Sequence, residues 1–226
     1  MCADSANLRA RPYELIVFDW DGTLRDSVGS IVGCARTAIE ELGLETDDEA
    51  IRATVGTGLQ QAVPRWVPGI DPGLIEAVID GYRRHWIADW NDRADFFPGV
   101  IELIQRLSDD GYLLSVATGK GRRGLGVDMQ RSGVSHLFAA TRTSDDCAAK
   151  PAPQMVLEIL GELGVRADAA LVVGDTTHDL EMARAAGVDA VGTGRGAMAP
   201  EVLAPLALTV LGCATELPEW LATVRW

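Results

Sequence analysis

A chain of 226 residues is long enough for one large domain or for a domain that carries an insertion. With 47% apolar and 23% charged residues, its composition is that of an ordinary globular protein. Acidic residues outnumber basic ones by 33 to 20, and the resulting charge of −13 argues against nucleic acid as a partner, since phosphate contacts need clustered Lys and Arg.

Residues Met1 to Pro12 include Asp4, Arg9 and Arg11 and hold no apolar core, so no signal peptide is expected there. Glu14 to Phe18 then reads as a fully buried strand, which ends in Asp19-Trp20-Asp21-Gly22-Thr23. From about Ser27 to Asp95 the pattern is helical only. Ile31, Ala35, Ile39 and Leu42 form a stripe that stops at Gly43, and Leu74, Val78, Tyr82 and Trp86 recur four apart in a stretch running to Trp90. This block reads as a small all-helical insertion hinged at Leu24 to Ser27 and at Asp95 to Gly99. Trp20, Trp66, Trp86 and Trp90 fall in or beside it and are expected mainly in its packing.

Beyond the insertion, helices and strands alternate. Val100, Leu103, Ile104 and Leu107 sit at helical spacing before Gly111, and Tyr112 to Ala117 is a strand. A weaker strand is expected near Leu137 to Ala140. Met155 to Leu163 is a helix opened by Pro153 and closed by Gly164. Leu171 to Val173 is a strand, Leu180 to Ala186 a helix, and Leu208 to Leu211 another weak strand. The expected fold class is therefore α/β, a parallel sheet covered by helices on both faces.

Cys2, Cys34, Cys147 and Cys213 are far apart and form no Cys-x-x-Cys pair, which suggests neither a disulfide framework nor a zinc site. No stretch approaches the ~18–20 apolar residues of a membrane span, and a reducing cytoplasm is the expected location.

The chemistry collects at strand ends, where open α/β sheets bind ligands. Asp19 and Asp21 are two apart on an extended segment and share a face, so one can attack an electrophile while the other carries a proton. Clustered carboxylates repel and need a cation, either a metal or a lysine. Thr118-Gly119-Lys120 offers a hydroxyl and free N–H groups at the next strand end, suited to a phosphate oxygen. Lys150, kept off a regular helix by Pro151, could neutralise a carboxylate and a phosphoryl group, or could be a solvated surface lysine. Asp175 ends a strand, and Asp179 opens a helix whose dipole tolerates an anion. An oxygen-rich set of Asp19, Asp175 and a backbone carbonyl suits Mg²⁺ better than zinc.

In order, these segments are DWDGT with LRDS behind it, TGK, KPAPQM and GDTTHDLEMARAAG. Together they resemble the four motifs of the haloacid dehalogenase-like hydrolase superfamily, and most closely its phosphoglycolate phosphatase type. The resemblance covers nearly the whole chain. It implies a Rossmann-like three-layer core, residues 1–26 and 96–226, with an all-helical cap domain, residues 27–95. It also implies that Asp19 is the nucleophile, that Asp21 is the general acid and base, and that Thr118 and Lys150 bind the phosphoryl group. Mg²⁺ would rest on Asp19, the Asp21 carbonyl and Asp175, with Asp179 close by. Thr23, Arg25, Gly119, Lys120 and the cap-loop glycines Gly56 and Gly58 would lie around a small phosphate ester. Arg52, Arg65, Arg83, Arg84 and His85 are further cap candidates for reading a substrate charge.

Two positions depart from the family pattern: Gly119 stands where Asn is common, and Arg25 where an apolar residue is common. Arg25 could reach substrate or pair with an acid such as Asp26. Alternative readings are a phosphomutase or pyrophosphatase of the same superfamily, or a receiver-like phospho-acceptor domain. Because dehalogenase members lack an acid at the position of Asp21, the resemblance implies phosphate rather than halide chemistry. Because mutase relatives tend to carry an apolar residue at the position of Thr23, it also favours hydrolysis, and the chain's length disfavours a receiver. Oligomeric state is not legible in these residues.

Overall fold

The computed structural model describes residues 12–224. The reading of the first segment as lacking a signal peptide, and Cys2, fall on residues 1–11, outside those described. The core is a six-stranded sheet in the order β5-β4-β1-β6-β7-β8, with every neighbouring pair parallel. Its strands are β1 (Leu15–Phe18), β4 (Leu113–Thr118), β5 (Ala140–Thr143), β6 (Ala170–Gly174), β7 (Asp189–Thr193) and β8 (Val210–Leu211). A separate antiparallel ribbon joins β2 (Arg25–Asp26) to β3 (Asp95–Phe96).

Alternation along the strands explains the layers. Ile16, Phe18, Leu114, Val116, Leu171 and Val173 point to one face, where α5 (Val100–Asp109), α6 (Arg122–Ser132) and α10 (Leu217–Leu221) cover them. Leu15, Val17, Ala117, Ala170 and Val172 point to the other face, under α7 (Gln154–Leu163), α8 (Thr177–Ala186) and α9 (Pro200–Leu203). Both faces are buried, so β1 and β6 are apolar throughout rather than alternating. This is the α/β, Rossmann-like three-layer core expected from the sequence.

The helical insertion contains α1 (Val28–Glu40), α2 (Asp48–Arg52), α3 (Leu59–Trp66) and α4 (Pro72–His85), followed by a π-helical turn, Trp86–Trp90. It packs around its own cluster, including Val32, Ile39, Ile51, Val63, Trp66, Val78 and Ile79. The β2–β3 ribbon lies where the chain leaves the core and returns to it.

Three expectations need correction. The strand expected near Leu137 to Ala140 lies at Ala140–Thr143, because 135–137 closes into a 3₁₀ turn first. Strand β7 went unseen in the sequence: Asp189-Ala190-Val191-Gly192-Thr193 begins with a charge and is interrupted by Gly, so it makes no apolar run, yet it pairs with β6 on one side and β8 on the other. The long amphipathic stretch ending at Trp90 is not one helix, since it widens into a π-turn at Trp86.

Candidate active site

Strand β1 lies between β4 and β6, so the carboxyl ends of these three strands open on one crevice. Asp19 follows β1 directly, and its N–H continues the ladder to the Val173 carbonyl at 2.9 Å. Its side chain is buried. Lys150, itself fully buried, places Nζ 2.7 Å from Asp19 Oδ1 and 2.5 Å from Asp179 Oδ1. Asp179 Oδ2 accepts the Thr176 N–H at 3.1 Å and the Thr176 hydroxyl at 2.7 Å, which closes the first turn of α8. Asp175 accepts the Thr23 hydroxyl and the Ala197 N–H, each at 2.7 Å. Gly22, at φ +86°, gives the turn after β1 its left-handed step; a side chain there would strike the Asp175 carboxylate.

Asp19, Asp175 and Asp179 each offer an oxygen within 4.8 Å of the others, and all three are buried. Three carboxylates thus face one ammonium. Burial pushes the Asp19 carboxyl well above the usual carboxylate range; Lys150 opposes this, while Asp179 and Asp175 add to it. Burial, then the Asp179 charge, pushes Asp175 up to about 7 against the pull of Ala197, Thr23 and Lys150. Burial disfavours the Lys150 ammonium, but Asp179 and Asp19 more than offset that and hold its pKa above the ordinary lysine value. Asp19 Oδ2 has no hydrogen-bond partner among the described residues. An all-oxygen donor set with surplus negative charge and an open lone pair fits a hard divalent cation.

Asp21 stands apart from this cluster. Its carboxylate accepts the Ser27 hydroxyl at 2.8 Å and lies 3.1 Å from Lys120 Nζ. Lys120 reaches further to Asp128 Oδ2 at 3.3 Å and rests over the Trp86 ring, 4.4 Å from its centroid. Asp128, buried on α6, also receives the Trp20 indole N–H at 3.0 Å and pairs with Arg25 at 2.6 Å. Thr118 is buried beneath this group, its hydroxyl oxygen accepting the Lys120 N–H at 3.1 Å.

A loop of the helical insertion lies over one edge of the crevice. Gly56 and Thr57 lie directly on Gly119: a Cβ at Gly119 would come within 2.6 Å of the Gly56 carbonyl carbon and 2.7 Å of the Thr57 oxygen. Gly56 also faces the Thr176 hydroxyl, and Gly58 faces Ser144. Between the helical insertion and the strand ends of the sheet lies a cavity of about 690 Å³ that reaches Asp21, Thr118, Gly119 and Lys120.

A family model for haloacid dehalogenase-like hydrolases matches residues 16–193, a span that contains every carboxylate of this crevice. The chain belongs to the haloacid dehalogenase-like hydrolase family. A probable phosphatase of Dickeya dadantii is 33% identical to this hydrolase over 216 residues, 90% of this chain and 94% of that protein. A phosphoglycolate phosphatase of Pseudomonas syringae pv. tomato is 31% identical over 191 residues, 81% of this chain and 70% of its own length. The crystal structure of a hydrolase from Pseudomonas syringae shares the fold, with a TM-score of 0.83 over 94% of this chain and 100% of that one at 22% identity. This hydrolase is an enzyme of the family's phosphatase group.

Several residues read from the sequence of this hydrolase sit differently from a simple substrate contact. The Thr23 hydroxyl is committed to Asp175. Arg25 turns away from Asp26: its guanidinium binds Asp128, the Asn91 side chain at 3.0 Å and the Ala94 carbonyl at 2.5 Å, tying the ribbon to α6. Arg84 and His85 both turn to Glu41, at 3.3 and 3.0 Å, whereas Arg83 borders the cavity. Two contributors went unread. Asp128 was not singled out; its one signal is its place three residues after Leu125, on the buried face of α6. Ala197 contributes a backbone N–H, which no residue type announces.

Proposed function

We propose that this hydrolase is a Mg²⁺-dependent phosphatase that cleaves a small phosphorylated metabolite through an aspartyl-phosphate on Asp19. The observation that carries the reading is the buried Lys150 ammonium 2.7 Å from Asp19, with Asp21 two residues further on at the mouth of the crevice. In this reading residues 27–95 are a cap domain on a core of residues 1–26 and 96–226.

Asp19 attacks phosphorus as the bond to the ester oxygen breaks, and Asp21 gives that oxygen its proton. Asp21, now a carboxylate, takes a proton from water as the water attacks the phosphoryl group. The bond to Asp19 breaks, and inorganic phosphate leaves. Lys150 holds Asp19 in place and offsets charge on the phosphoryl oxygens, to which the Thr118 hydroxyl also donates. Ser27 and Lys120 orient Asp21. Asp19, the Asp21 carbonyl and Asp175 would hold Mg²⁺, with Asp179 positioning Lys150. The ion would supply positive charge against the transferring oxygens. The cap loop on Gly119 keeps bulk water from the first step.

Phosphate release from a panel of monoesters, with Mg²⁺ and with chelator, tests the reading. Asp19→Asn should lose at least about 10³-fold in kcat while retaining its circular dichroism spectrum and Tm. Full activity in that variant, or activity insensitive to chelation, would remove the mechanism.

A further inference from the structure

The cavity between cap and core is far larger than a two-carbon ester requires: its volume of about 690 Å³ falls within the ~300–1,000 Å³ range of sites for drug-sized ligands. Its lining includes Asp21 and Thr118, the proposed proton carrier and phosphoryl-binding hydroxyl, so an occupant there adjoins the proposed phosphoryl site. Most of its apolar wall comes from the helical insertion, through Ile31, Leu59, Tyr82, Trp86 and Ile87, and α6 adds Val127. Ile87 is 57% exposed and Val127 37% exposed, so both line the cavity and leave apolar surface in solvent.

The charges of the cavity point the same way. Its least exposed cation is Lys120, which already lies between Asp21 at 3.1 Å and Asp128 at 3.3 Å. The arginines on its lining, Arg83, Arg123 and Arg131, are exposed at the rim. Arg83 has Asp80 beside it, and Arg131 is paired with Asp92. Among the described residues, no buried, uncommitted cation awaits a carboxylate or second phosphate on the leaving group. Placing one there would bury an unpaired charge. The phosphoglycolate phosphatases among the relatives are named for an ester with just such a carboxylate.

We infer, on the reading that Asp19 and Asp21 perform phosphoryl transfer, that the substrate is a monoester whose leaving group is uncharged and carries a largely apolar body, seated between Trp86, Ile87 and Val127. Glycolate lacks that body and brings a charge the cavity does not match.

Two measurements, both with Mg²⁺ present, test this. In turnover, benzyl phosphate should exceed phosphoglycolate in kcat/KM by at least about tenfold. In calorimetry, the non-hydrolysable 2-phenylethylphosphonate should bind more tightly than 3-phosphonopropionate. Ile87→Ser combined with Val127→Ser, both at exposed positions that leave the fold intact, should reduce that preference by about tenfold. Equal or better use of phosphoglycolate, with equal or tighter binding of 3-phosphonopropionate, overturns the inference and leaves the phosphatase reading standing. Preferential binding of the phenyl compound without hydrolysis of any ester overturns the catalytic reading and, with it, the inference that the apolar occupant is a substrate. Failure of both phosphonates to bind overturns the inference outright.

Discussion

Lys120 of the core lies over the indole of Trp86 in the helical insertion, its ammonium 4.4 Å from the ring centroid and 3.1 Å from Asp21. One side chain thus touches the inserted helices and the proposed proton carrier together. The π-helical turn that starts at Trp86 sets where the indole sits, and Tyr82 stacks behind it at 5.9 Å.

Replacing Trp86 with Leu keeps an apolar side chain but removes the ring face. A cation–π contact at a largely desolvated site is worth about 1–2 kcal/mol, so the favoured orientation of Lys120 weakens by that amount. The expected result is a five- to thirty-fold fall in kcat with a Tm change of a few degrees. A variant with unaltered kcat would show that Lys120 needs no ring beneath it.

Gly119 offers a separate handle on closure. Any side chain there collides with the backbone of Gly56 and Thr57, whereas a cap displaced outward would accommodate it. Gly119→Asn should leave Tm nearly unchanged, because the insertion keeps its own core, and should lower kcat/KM at least about tenfold by misplacing the cap loop. Wild-type kinetics in this variant would mean that the loop need not sit on residue 119 during turnover.

Lys150 is the sole ammonium within the Asp19, Asp175 and Asp179 cluster among the described residues. Lys150→Met leaves three buried carboxylates without it, and breaking such a pair costs about 3–5 kcal/mol. Differential scanning calorimetry should find the variant markedly less stable than the parent and strongly stabilised by added Mg²⁺. Parental stability in ion-free buffer would contradict the charge accounting.

The same cluster sets a pH dependence. Asp175 is raised to about 7 in the folded state, above its ordinary value of 3.8, so its protonated form favours the ion-free fold. That contribution is complete below about pH 4 and is lost as pH rises through 7. A divalent cation binds the ionised carboxylates and restores stability where they have lost their protons. The Tm increase on adding Mg²⁺ should therefore be several degrees at pH 8 and smaller at pH 5. Equal increases at the two pH values would show that the cation binds elsewhere.

Much of the fold and most of the cluster were legible in the chain itself. Leu15 to Phe18 and Leu171 to Val173 are apolar because both faces of a parallel sheet are covered, and that run announces a strand end at Asp19 and at Asp175. Short-range signals also marked α7, with Pro153 before it and Gly164 after it. Strand β7 was not legible, because its place in the sheet comes from β6 and β8 rather than from its own composition.

What the sequence by itself determined is the order of the acids, hydroxyls and lysine along the chain, and with it the family and the chemistry these groups can perform. Only the tertiary structure decided their partners. Arg25 lies beside Asp26 in sequence yet binds Asp128, 103 positions away, and Lys120 meets Asp21 across 99 positions. Nothing local specifies such pairs: the strand order brings the ends together, and burial then requires each charge to find a partner. Gly119 shows the same division. In the chain it is a missing side chain; in the fold it is the space that Gly56 and Thr57 occupy.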